Sequence, residues 1–152
     1  MSDHQMVIIP ADPRLVPSVE QSSALAALLT QWMPEAETIS TETSANVEFR
    51  DCGENFEYVA CPACKRKLEI TEWHQLMDQD YDLQQGFQLR SYTLPCCGHQ
   101  AAVNQLTYSF MQGFSRFALT ATNPDSGPLS EQQLTRLRQL LGCEVIVIYR
   151  HI

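Results

Sequence analysis

Cys61-Pro62-Ala63-Cys64 and Cys96-Cys97-Gly98-His99 are the two places where this chain gathers soft metal ligands, with 31 residues between Cys64 and Cys96. A Cys-x-x-Cys turn presents two thiolates to one ion, and a second turn of the same kind completes a tetrahedron, the geometry zinc prefers. The expected ligands are Cys61, Cys64, Cys96 and Cys97, with His99 as the rival for the fourth place. His99 stands at Cys-x-His spacing from Cys97 and at Cys-x-x-His spacing from Cys96. With so many donors the tetrahedron closes, so the expected cofactor is a structural Zn²⁺ with no open position for catalysis. Cys52 and Cys143 stand alone and read as small buried residues.

Cys61-Pro62-Ala63-Cys64 followed by Lys65-Arg66-Lys67-Leu68 resembles the first knuckle of zinc-ribbon proteins, over about residues 58–100. Two departures mark the likeness. Lys65 stands where the knuckle usually has glycine, and Leu94-Pro95-Cys96-Cys97-Gly98 has leucine where its first cysteine belongs. The resemblance implies a metal module and no particular activity. The same dithiol looks like that of thioredoxin and glutaredoxin folds, where basic neighbours such as Lys65, Arg66 and Lys67 favour the thiolate. Those folds set the dithiol at the start of an apolar-striped helix, and no such stripe follows Cys64.

No other constellation carries catalysis. The zinc-deaminase pattern fails at both halves, because His74 precedes Gln75-Leu76 and Pro95 precedes Cys96-Cys97-Gly98-His99. His-Glu-x-x-His, a phosphate-cradling glycine loop and Gly-x-Ser-x-Gly are all missing. Asp78, Asp80 and Asp82 lack the glycine and terminal glutamate of a calcium loop and read as a solvated acidic face. His4, His74 and His151 read as surface residues, and Trp32 and Trp73 as core.

The elements that position the cysteines follow from periodicity. Met6-Val7-Ile8-Ile9 is a β-branched strand ended by Pro10. Ser18-Val19-Glu20-Gln21 is a capping box, and Leu25, Leu28, Leu29 and Trp32 form one helical stripe up to Pro34. Val47 and Phe49 alternate within 46–51, and 56–60 alternates again, so the two predict a hairpin leading into Cys61. Thr71 caps a predicted short helix with Trp73, Leu76, Met77 and Tyr81 on its apolar side and Gly86 beyond it. Residues 87–94 form a predicted strand into Cys96, and 101–112 stays ambiguous.

The last third repeats the opening. Residues 114–121 alternate as a strand, Ser130-Glu131-Gln132-Gln133 is a second capping box, and Leu134, Leu137 and Leu141 form a second stripe closed by Gly142. Residues 144–149, apolar on both faces, predict a central strand. At an offset of 111, Asp12-Pro13 lies over Asn123-Pro124, Pro17 over Pro128, and Glu20-Gln21 over Glu131-Gln132. The expected fold is therefore α+β: two βαβ-like halves, 1–52 and 106–152, forming a ferredoxin-like antiparallel sheet with two helices. The zinc-ribbon-like lobe, 53–105, is inserted between them.

Composition bounds the function. The chain of 152 residues carries a net charge of −8, and residues 1–60 account for all of it, with ten acids against Arg14 and Arg50. The acids cluster between Glu35 and Glu57, so Glu48, Asp51, Glu54 and Glu57 are the expected contact residues for a protein partner with a basic surface. That field repels phosphate backbones, and Lys65-Arg66-Lys67 is the one basic cluster to set against it. A leader and an 18-residue apolar run are both missing, which predicts a cytoplasmic, non-membrane protein whose cysteines are reduced. The expectation is a small acidic, zinc-stabilised protein-interaction domain and not an enzyme. An adaptor, a bacterial immunity-type inhibitor or an accessory subunit would have this size and charge. The alternatives are a nucleic-acid-associated zinc ribbon, a zinc hydrolase, or a thiol oxidoreductase using Cys61 and Cys64.

Overall fold

Two capped helices and four long strands form the larger part of the molecule. A computed structural model describes residues 3–152, so Met1 and Ser2 lie outside the description. The long strands are β1 (His4–Pro10), β2 (Thr38–Arg50), β9 (Gly113–Thr122) and β10 (Val145–His151). The intervening short strands are β3 (Val59–Ala60), β4 (Tyr81–Asp82), β5 (Gly86–Phe87), β6 (Tyr92–Thr93), β7 (Gln100–Ala101) and β8 (Thr107–Tyr108). The helices are α1 (Val19–Trp32), α2 (Ile70–Asp80) and α3 (Glu131–Leu141).

The main sheet runs β10-β1-β9-β2-β5-β4. Its long strands pair antiparallel throughout, and only β2 with β5 is parallel, at Val47 opposite Gly86. The fold is thus α+β with a largely antiparallel sheet. β10 lies at the edge and not in the centre as its composition predicts. Its apolar character has another cause: Val145 and Val147 pack toward the helices while Ile146 and Ile148 meet the opposite cluster, so both faces are covered although one edge is open.

Both predicted capping boxes form. Ser18 Oγ accepts from the Gln21 amide and Ser130 Oγ from the Gln133 amide, with each glutamine side chain accepting from the serine amide in return. The buried faces Leu25 and Leu29 of α1 and Leu137 and Leu141 of α3 join Met6, Ile8, Phe117 and Leu119 in one core. Matched by caps and buried leucines, the two halves correspond at an offset of 112, one more than the residue identities indicate.

The predicted hairpin at 46–60 does not form. β2 pairs along its length with β9, some 70 residues away, and β3 pairs with β8. A bulge between Thr43 and Glu48 breaks the β2–β9 register. Ile39, before the bulge, packs with the helices; Val47 and Phe49, after it, pack in a second core. That core joins the lobe to the sheet through Val47, Phe114, Val59, Leu68, Trp73 and Leu106. Phe56 stacks on Trp73 at 5.3 Å, and Phe49 meets the same indole edge-on at 5.9 Å.

Gly53 fastens the end of β10. It bridges His151 at φ +62°, and the Glu54 amide donates to the His151 carbonyl at 2.8 Å. A Cβ on residue 53 would overlap that carbonyl oxygen. Gly53→Ala is expected to cost about 2–3 kcal/mol, from left-handed backbone plus a clash with fixed main chain. Urea midpoints check it, with Gly127→Ala, where a Cβ meets nothing, as the reference.

Candidate metal centre

Two hairpins of the same design carry the cysteines. In the first, the Cys61 amide donates to the Arg66 carbonyl at 2.9 Å and the Lys65 amide to the Cys61 carbonyl at 3.0 Å. In the second, the Leu94 amide donates to the His99 carbonyl at 2.8 Å and the Gly98 amide to the Leu94 carbonyl at 3.0 Å. The patterns superpose Leu94 on Cys61, Cys96 on Ala63, Cys97 on Cys64 and Gly98 on Lys65. Lys65 adopts φ 69°, close to the 77° of Gly98, so the lysine takes up the left-handed conformation that glycine usually provides in such a turn. Leu94, 1% exposed, fills the place of a first cysteine with a buried apolar side chain. The second hairpin therefore draws its additional sulfur from the middle of the turn, at Cys96.

The sulfurs of Cys61, Cys64, Cys96 and Cys97 lie within 4.8 Å of one another. Cys61 Sγ is 3.7 Å from Cys97 Sγ, and Cys96 Sγ is 3.9 Å from Cys97 Sγ. A tetrahedron with metal–sulfur bonds of about 2.3 Å has edges of about 3.8 Å, so these spacings match four thiolates around one ion. They are far from the roughly 2.05 Å of a disulfide, and all six cysteines are free. The residues present fit a metal ion, and the cluster is consistent with a zinc-binding knuckle. His99 is not part of the four-donor group. The His99 backbone amide faces Cys97 Sγ and works to lower its thiol, but burial and the neighbouring Cys61 and Cys64 outweigh it and leave Cys97 raised.

Electrostatics within the cluster are uneven. The Cys64 and Ala63 amides point at Cys61 Sγ from 3.5 and 3.4 Å and, with the thiols of Cys96 and Cys97, pull Cys61 down to about 6. Burial and the neighbouring sulfurs push Cys96 up to about 12. Cys61 is fully buried, whereas Cys64 and Cys97 are exposed. The most acidic thiol is thus the least accessible, which suits a ligand and not an attacking nucleophile. α2 starts at Ile70, six residues after Cys64, so no helix begins at the dithiol.

The acidic residues singled out from the sequence do not form one free field. Glu42 pairs with Arg50 at 3.0 Å, which holds its carboxyl below the usual range. Asp51 pairs with Arg150 at 3.0 Å, a residue 99 positions away. Glu48 is half-buried in β2 opposite Ser115, and Glu54 and Glu57 are exposed, Glu54 lying 3.9 Å from His151. Beside the first knuckle, Arg66 approaches Glu72 at 3.7 Å and Lys67 sits over the Tyr58 ring at 4.4 Å. Cys52 is buried beneath the sheet, and burial pushes its thiol up. Cys143 is half-buried, two residues before β10.

Asp80 departs from expectation. It is 1% exposed and not part of a solvated acidic face. Its Oδ2 accepts the Leu89 amide at 2.8 Å, and its Oδ1 accepts the Arg90 amide and the Tyr92 hydroxyl, each at 2.9 Å. The contacts bend the chain at Leu89, φ 56°, so that the predicted strand over 87–94 divides into β5 and β6. Asp80 thereby ties α2 to the strand that delivers the second cysteine pair. The signal was present in the spacing, because Asp80 lies at i+7 from Trp73 on the stripe with Leu76. Glu69 and Glu72, in place of Thr71, cap this helix.

Compared with protein-family models, curated proteins and solved structures, the chain matches none. Among the described residues, no helix is long and apolar enough to cross a membrane.

Proposed function

We propose that this chain is a zinc-stabilised protein-interaction domain, an adaptor, inhibitor or accessory subunit built on a ferredoxin-like core with a zinc-ribbon-like lobe. The observation that carries this reading is the closed four-sulfur cluster. Four protein donors leave no position for a water or substrate, so a bound Zn²⁺ would act by holding the two hairpins together. A divalent ion among four thiolates leaves net negative charge, which Lys65, Arg66 and Lys67 at the rim of the first knuckle offset. The antiparallel order β10-β1-β9-β2 with α1 and α3 sharing one core supports the ferredoxin-like assignment. β5 and β4 extend the sheet beyond β2.

The partner surface is narrower than the charge distribution implies. Glu42 and Asp51 are already answered by Arg50 and Arg150, which leaves Glu48, Glu54 and Glu57 to meet a basic partner. Lys65-Arg66-Lys67 is the one basic cluster set against a net charge of −8, which argues against a nucleic-acid role. Affinity capture from the native cell, with metal analysis of the same sample, tests the proposal. One zinc per chain and a stoichiometric basic partner are expected. The triple change Glu48→Lys, Glu54→Lys and Glu57→Lys should abolish capture and leave zinc content intact. Undiminished capture by that variant would sink the interaction reading, and iron or no metal would sink the zinc reading.

A further inference from the structure

The β2 bulge opens a cleft of about 420 Å³ on which three arginines converge from distant parts of the sequence: Arg14, Arg90 and Arg116. Arg14 belongs to the loop after β1, Arg90 to the bend after β5, and Arg116 to β9 opposite the bulge. Asn46, Gln85 and Phe87 complete most of its wall, and no aspartate or glutamate lines it.

Three like charges around one cleft repel one another, so in a chain with 18 acids against 10 bases each would be expected to have a carboxylate beside it. None does. Among the described residues, ion pairs engage Arg50, Arg66, Arg138 and Arg150 but not these three. Two acids that touch the same segments are occupied with main chain: Asp12 accepts the Arg14 amide, and Asp80 accepts the Arg90 amide.

The guanidiniums are held without being neutralised. Arg14 Nη2 donates to the Gln88 carbonyl at 2.9 Å, and Arg116 Nε donates to the Ser44 carbonyl at 3.0 Å. These bonds fix two of the forks and leave their remaining N–H groups for another acceptor. Gly86 sets the depth of the wall. A Cβ there would come within 2.6 Å of Asn46 Cβ, so glycine lets β5 lie against β2 and places Gln85 and Phe87 beside the arginines.

We propose that this cleft is an anion site that receives the phosphoryl group of a small phosphorylated ligand, gripped by Arg14, Arg90 and Arg116. Planar guanidinium forks match phosphate oxygens in pairs. A carboxylate brings one charge and two oxygens, too few for three cations; a phosphoryl group brings nearly two charges and three oxygens. The arginines line one cleft instead of forming a stripe, and the rest of the chain is acidic, so a long nucleic-acid backbone does not suit the site. The size is that of a small-molecule pocket.

Titration of inorganic pyrophosphate into the metal-loaded chain by calorimetry tests the assignment. One-to-one binding that weakens with added salt is expected. Among the described residues Arg90 has no side-chain hydrogen-bond partner, so Arg90→Gln should keep the native melting temperature and weaken binding about tenfold, the loss of one charged fork. Arg14→Gln with Arg90→Gln should remove measurable binding, and Arg136→Gln, on exposed α3, should change nothing. Metal content is measured after each titration, because pyrophosphate also chelates metals. Absence of binding at millimolar pyrophosphate, or binding unchanged in Arg90→Gln, overturns the proposal. So does binding that persists in the folded double variant.

Discussion

Removing the metal is expected to unfold the lobe and leave the helix-backed half of the sheet standing. The reasoning starts from the cores. The lobe's strands β3, β6, β7 and β8 are two residues each, and its core of Val59, Leu68, Trp73, Leu94 and Leu106 is shared with Val47 and Phe114 of the sheet. Structural zinc contributes on the order of 10–16 kcal/mol in isolated zinc-finger peptides, comparable with the whole stability of a domain of roughly 5–15 kcal/mol. Strands of two residues offer few ladder hydrogen bonds to replace such a contribution. The opposite core, Leu25, Leu29, Leu137, Leu141, Met6, Ile8, Phe117 and Leu119, draws on no lobe residue.

Chelation, or Cys61→Ser at the buried ligand, should therefore abolish hydrogen-exchange protection over residues 58–108 while α1, α3 and β1 stay protected. Tryptophan emission should shift to the red from Trp73 alone, which a Trp32→Phe background isolates. Cys143→Ser, outside the cluster, should behave as the native chain. Loss of protection across the whole sheet would mean that Val47, Phe49 and Phe114 couple the two cores into one cooperative unit. An unchanged exchange pattern after verified metal removal would show that the sulfurs hold nothing together.

The second large effect is expected at Asp80. Its carboxylate accepts three hydrogen bonds in a site closed to solvent, and bonds to a charged acceptor contribute about 1.5–3 kcal/mol each. Some of this returns when the bend at Leu89 relaxes and its amides meet water, which leaves an expected loss of about 3–5 kcal/mol for Asp80→Ala. Asp80→Asn keeps the volume but turns one acceptor into a donor facing an N–H or hydroxyl, so it should cost nearly as much. Asp78→Asn, two residues away and exposed, should stay within about 0.5 kcal/mol. Urea midpoints at saturating metal separate the three. Equal midpoints for Asp78→Asn and Asp80→Asn would show that the carboxylate does not hold the bend.

Local signals survived translation into structure. The two capping boxes form as written because Ser-x-x-Gln is satisfied within four residues and needs no distant partner. The stripe of α1 reads correctly through Leu25 and Leu29 for the same reason. Strand pairing did not read through. Val47 and Phe49 alternate as a hairpin strand should, yet their partner is β9, and a pairing across about 65 residues leaves no trace in spacing. The apolar run of β10 shows that both faces are covered but not whether the edges are, so an edge strand looks central.

At the metal centre the division is equally sharp. The sequence alone determined that soft ligands come in two clusters with knuckle spacing, because a Cys-x-x-Cys turn is local geometry. It also showed the two irregularities, Lys65 in a glycine position and Leu94 in a cysteine position. Only the tertiary structure brings Cys96, and not His99, into the sulfur group, because that depends on how two hairpins face each other. Matching hydrogen bonds put Leu94 in the first-ligand place and bring Cys96 Sγ to 3.9 Å from Cys97 Sγ, while His99 is left outside the sulfur group. Asp80 and the arginine cleft belong to the same class. A buried carboxylate is recognised by the amides that reach it, and Arg14, Arg90 and Arg116 become neighbours only when β2 bulges against β9 and β5 docks beside it.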